Sequence, residues 1–170
     1  QDPDQKIRWG DDHWARLGGG RAVLESVDGI VYLAMSLRNV GSGLAVLRGW
    51  RVDPAPATPS PTAALEQGRA GLAQRPDADQ FRLQGRDLYV PPGDTSFWQA
   101  AIRDPADPDR AGVLEVIESG RSLIVDLLYG DHEGGQRTIS RFGVTQLPGD
   151  STDWVCSVVR HWNLDRDDPR

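Results

Sequence analysis

The groups able to do chemistry concentrate at one stretch of this chain. Asp131, His132 and Glu133, with Asp126 just before them, place three carboxylates and an imidazole near one predicted hairpin. Such a set can hold a metal or move a proton. Zinc would need a second His or a Cys close by, and calcium would need more oxygen donors at regular spacing. The local sequence supplies neither, so no metal ligand, catalytic residue or cofactor is assigned, and a polar turn is the plainer reading. Cys156 with His13, His132 or His161 would make a nucleophile pair. In a regular strand, however, Cys156 and His161 would face opposite ways. A lone cysteine is more often a small buried hydrophobe. There is no G-x-S-x-G elbow. The G-S-G at 41–43 lacks the Lys and Ser/Thr of a phosphate loop.

The six tryptophans are the least ordinary feature of the composition. Trp50 and Trp98 are expected in the core. Trp9, Trp14, Trp154 and Trp162 are the candidates for an exposed surface that stacks a sugar or holds a peptide. With Asp131, His132 and Glu133 they make up the ligand-surface candidates. Arg48, Arg51, Arg137, Arg141 and Arg160 read as part of a solvated, mixed-charge surface, because acids surround them.

Positioning these residues falls to strands. In Ile30 to Arg38, Val31, Leu33, Met35 and Leu37 fall on one face and Tyr32, Ser36 and Arg38 on the other. Asn39 to Gly43 is turn chemistry, and a β-like run resumes over 45–52, so 30–52 is expected to be a central hairpin. Arg21 to Val27 and the Asp28-Gly29 turn predict a strand paired with 30–38. Strands are also expected at 81–90 (one strand, or two short ones broken near Gly85-Arg86-Asp87), 95–103, 122–129, 136–147 and 154–162, with Leu123, Val125, Leu127 and Tyr129 on one buried face. Asp53 to Pro61 carries four prolines and excludes a strand. Residues 62–73 suit a short helix, and 111–119 suit another ended by Gly120. Residues 1–20 read as a loosely held lead-in with a helical turn near 11–17, and 163–170 as a frayed charged tail.

The chain has 170 residues, 19 glycines, 12 prolines and a net charge of −6. That length suits one domain, here 21–162, with insertions at 53–73 and 104–120. The negative charge argues against nucleic acid as a partner. No apolar run is long enough to cross a membrane. The single cysteine permits no internal disulfide. The first residue is Gln, so a processed chain, or one cut from a longer protein with a leader or anchor helix, is expected. The fold class that emerges is all-β: an antiparallel β-sandwich of seven or eight strands with one or two short inserted helices.

L-R-N-V-G-S-G-L-A (37–45), V-P-P-G-D (90–94) and L-Y-G-D-H-E-G (128–134) add a resemblance. Over roughly 21–147 the chain resembles the immunoglobulin-like soluble domains of uncharacterised bacterial, actinobacterial-type, membrane-associated proteins. The resemblance implies an Ig-like sandwich in a membrane-associated or extracytoplasmic setting, with membrane attachment only through a segment absent from this chain. It supplies no catalytic residues. The functional expectation is a non-enzymatic domain that binds a protein partner. The alternatives are a carbohydrate-binding module using exposed tryptophan and a hydrolase with its site near the 126–133 hairpin.

Overall fold

The computed structural model describes residues 4–54, 74–149 and 152–167. Ten strands dominate them. β1 (Gln5–Arg8) and β2 (Trp14–Leu17) form a separate two-stranded ladder. β3 (Arg21–Val27), β4 (Ile30–Arg38), β5 (Ala45–Pro54), β6 (Arg82–Val90), β7 (Thr95–Ile102), β8 (Leu123–Gly130), β9 (Thr138–Gln146) and β10 (Trp154–Asn163) form one antiparallel sheet. Its order is β6-β5-β8-β9-β10-β3-β4-β7. β6 and β7 stand at opposite ends of that order, yet only residues 91–94 separate them in the chain. The sheet must therefore curl until its two ends meet at this turn.

The expected 30–52 hairpin is corrected. β4 pairs with β3 and β7, while β5 pairs with β6 and β8, so neither has an edge left for the other. Residues 39–44 instead cross between the two halves of the sheet. Asn39 ties the crossing to the 91–94 turn: its N–H donates to Asp94 O at 3.0 Å, and its carbonyl accepts from Gly93 N–H at 2.8 Å. Its side-chain amide also donates to Gly43 O and Val90 O, both at 2.8 Å.

The Asp28-Gly29 turn does close β3 onto β4, with φ of 52° and 79° that suit a tight two-residue hairpin. The alternation in β4 also holds, since Val31, Leu33, Met35 and Leu37 all enter the main core. Trp50 and Trp98 meet edge-on there, ring centroids 5.4 Å apart. α1 (Arg110–Ser119) packs Val113 and Val116 into the same core. It stops at Gly120, whose φ of 69° is the left-handed cap that glycine supplies without strain.

Three further expectations change. The lead-in is not loose and holds no helical turn at 11–17: β1 and β2 bury Ile7, Trp9 and Leu17 against Tyr32 and Ala34. β4 is thereby covered on both faces over its first half. β5 continues through Asp53 to Pro54, which as the last strand residue needs no ladder donor. The loop and helix expected over 55–73 lie outside the described residues. The tail is not frayed up to residue 167: Leu164 N–H donates to Arg137 O at 2.9 Å, and Asp165 accepts from Arg137.

Candidate functional site

Asp131, His132 and Glu133 occupy the β8–β9 hairpin. The Asp131 carboxylate accepts from Glu133 N–H at 3.1 Å and Gly135 N–H at 2.8 Å, so it shapes the turn itself. Both His132 and Glu133 project into solvent, 3.8 Å apart. Among the described residues no three His, Cys, Asp or Glu side chains converge as metal ligands. Asp126, counted with them from sequence, points the other way into a buried network.

The tryptophan surface is largely dismantled by the packing. Trp9, Trp154 and Trp162 are buried, and a buried ring offers no face to a sugar. Trp14 alone of the candidates is open, at 49% exposure, and Lys6 Nζ already sits 4.5 Å from its ring centroid.

Sequence alternation fails in β10. Its register slips between Val158 and Arg160, a bulge that returns His161 to the inward face shared with Cys156. The two still do not meet. Cys156 Sγ lies 3.4 Å from Arg21 O and 3.8 Å from Ser36 O. His161 Nδ1 instead lies 2.6 Å from Ser140 Oγ, which is hydrogen-bonded to Tyr129 OH at 2.9 Å. Which of the Ser140 hydroxyl and the His161 ring donates depends on the imidazole tautomer. Ser140 is 2% exposed, so no substrate carbonyl reaches its oxygen. The trio clasps β8, β9 and β10 together. Burial pushes the Cys156 thiol up from its usual range. Native protein at pH 8 should therefore react with a disulfide reagent far more slowly than protein in denaturant; equal rates would show that the thiol is open.

On the opposite face, Asp126 and Arg141 are cross-strand partners and both fully buried. Arg141 Nε and Nη2 bind the two Asp126 oxygens at 2.8 and 2.9 Å, a forked pairing. Arg51 Nη1 adds a third bond at 2.9 Å. Arg141 also donates to Gln74 O at 3.1 Å and lies over the Trp162 ring. The expectation that Arg141 belongs to a solvated surface is thus corrected: it anchors an interior ion cluster.

A fourth cluster, missed in the sequence, fixes the β1–β2 hairpin to the sheet. Asp11 accepts from Tyr32 OH and from Arg103. His13 Nε2 lies 2.5 Å from Glu25 Oε1, and its ring stacks on Tyr32 at 3.9 Å. Trp9 Nε1 donates to Ala100 O of edge strand β7 at 3.0 Å. The Arg103 guanidinium, then the Tyr32 hydroxyl, hold the Asp11 carboxyl down to about 2 from its ordinary 3.8. A depressed carboxyl stabilises the fold above its unfolded value and stops doing so as pH falls through the folded one. The gap in urea midpoint between wild type and Asp11→Asn should therefore be widest above pH 4 and close toward pH 2. A gap that is constant across that range would remove Asp11 from the latch.

Among the described residues the exposed large apolar side chains are Trp14, Val27, Val40, Leu83, Tyr89, Val158 and Val159. Val40, in the 39–44 crossing, is 87% exposed, and Leu83, near the start of β6, is 88% exposed. Tyr89, half exposed, lies at the other end of β6, beside the Val90 carbonyl that Asn39 binds. Among the described residues β6 pairs only with β5, and its register is broken by a bulge over 84–87, where Gly85-Arg86-Asp87 suggests a break in the sequence. Its place at the end of the strand order is not written in the periodicity. No protein-family model, curated protein or solved structure matches this chain.

Proposed function

We propose that this chain is a non-enzymatic binding domain whose partner is a protein, and that it serves as the soluble part of a membrane-associated protein. The single observation that carries the reading is the apolar group Val40, Tyr89 and Leu83, presented on the edge strand and its adjoining crossing. Scattered apolar side chains are normal on a surface, but three large ones along one edge are the kind of feature that marks a contact site. β6 ends the strand order among the described residues, and its bulge discourages indiscriminate strand addition, which favours a selective partner. The Ig-like sandwich belongs to the same proposal. Five strands (β6-β5-β8-β9-β10) and three (β3-β4-β7) share one core, and the halves join at only two residue pairs, Trp154 with Ala22 and Val155 with Arg21. That narrow seam supports two layers over one continuous wall.

Neither alternative gains an observation of its own. Sugar stacking is left with Trp14, and the 126–133 hairpin presents no enclosed acid–base pair. The test is photo-crosslinking in the native host from a benzoylphenylalanine at position 89. A discrete heterologous adduct that disappears with Leu83→Asp, and is absent with the probe at Arg160, supports the reading. Identical adducts from both positions, or none that depend on Leu83, would sink it.

A further inference from the structure

We propose that the β1–β2 hairpin is a detachable strap, hinged at Gly18-Gly19, that lifts as a unit from an apolar face of the sheet. Among the described residues the hairpin's ladder is its own: four residue pairs join β1 to β2, and none joins them to the eight-stranded sheet. It is held from outside by side chains alone. Ile7, Trp9 and Leu17 press on Tyr32 and Ala34, with Val23 and Phe97 beside them. Around that apolar contact runs a rim of polar bonds: Trp9 to Ala100 O, Asp11 to Tyr32 and Arg103, and His13 to Glu25.

A two-stranded hairpin is marginal by itself in water, so its order depends on that seat. Three consecutive glycines lead into β3. Gly20, at φ 70°, is fixed to the sheet: its N–H donates to Ser36 Oγ and its carbonyl accepts from Cys156 N–H, both at 2.9 Å. Bending therefore falls to Gly18 and Gly19 ahead of that anchor, where one turn bond, Arg21 N–H to Gly18 O at 3.1 Å, must open. Segments with few backbone ties and a hinge of this kind open below the free energy of global unfolding. Lifting the strap would uncover Tyr32, Ala34 and Phe97, a second apolar face, distinct from the exposed edge at Val40, Tyr89 and Leu83. The inference does not depend on what that edge binds.

Hydrogen exchange on the intact chain tests it. The ladder amides of residues 5–8 and 14–17 are expected to exchange at least a hundredfold faster than those of β8 and β9. Asp11→Asn removes the charge at the centre of the latch and should speed hairpin exchange about tenfold further, while β8 and β9 stay unchanged. Trp9→Leu, which keeps an apolar side chain but loses the bond to Ala100, should act the same way. If the hairpin amides share the rate of β8 and β9, or if both variants accelerate all strands equally or none, the hairpin is an integral part of the fold and the strap is overturned.

Discussion

Replacing Asp126 by Leu should lower the melting temperature by about 6–20 °C. Among the described residues Asp126 is the buried anion between two guanidiniums, Arg141 forked onto it and Arg51 on its Oδ2. Removing it leaves Arg141 charged and shut away from water, a change that costs about 3–5 kcal/mol. Each kcal/mol moves the midpoint of a domain this size by about 2–4 °C. Arg141→Met should cost clearly less, because Asp126 keeps its bond to Arg51. The double variant Asp126→Leu/Arg141→Met should recover at least half of the Asp126→Leu loss, since a buried ion pair and an apolar pair of similar volume are often close in stability. Arg51 is mostly buried, at 20% exposure, and also lies 3.4 Å from the more open Asp53. Calorimetry of the three proteins decides the matter. An Asp126→Leu variant melting within about 2–4 °C of wild type would mean that the cluster contributes no net stability.

Trp98 gives the second large effect, and an asymmetric one. Its ring is buried at the centre of the core, edge-on to Trp50, yet its Nε1–H finds no acceptor. It borders a void of about 10 Å³, lined also by Leu24, Leu33, Val125 and Val144, barely enough for one water. Trp98→Ala opens a large cavity and should cost about 3–5 kcal/mol. Trp98→Phe loses ring area but also deletes a buried donor with no partner, and those two changes oppose each other. Its net cost should stay below about 2 kcal/mol. Urea denaturation of both variants checks the ordering; a Phe variant as unstable as the Ala variant would mean that the indole N–H is satisfied in solution.

Much of the element plan is written in the sequence because it rests on local rules. Asp28-Gly29 demands positive φ at both residues and receives it. Gly120 ends α1 for the same stereochemical reason, and the alternation of Val31, Leu33, Met35 and Leu37 names the core face of β4. Alternation, however, gives a strand its faces and not its neighbours. Asn39 to Gly43 looks like a hairpin turn because hairpin turns and crossings use the same residues; the choice is made by β7 and β6 taking the free edges. The candidate side chains are less legible still. Counting in twos sets His161 facing away from Cys156, and a one-residue bulge reverses that count without a sequence signature. Arg141 and Asp126 read as surface charges until the β8–β9 register sets them side by side. The latch at Asp11 escaped because its parts come from β3, β4, the end of β7 and a turn with φ 64° at Asp12, far apart in the chain.

The two-pair seam between β10 and β3 has a consequence for how the protein is made. Ala22 and Arg21 are synthesised more than a hundred residues before their partners Trp154 and Val155. Until then the outer edge of β3 and the outer edge of β9 both stand unpaired, although β3–β4 and β8–β9 can each zip locally as hairpins. Contacts so distant in sequence form slowly, and open strand edges attract other chains while they wait. Chains truncated before residue 154 should therefore aggregate even though most of the core is already present, and the arrival of β10 is the step that closes this sheet.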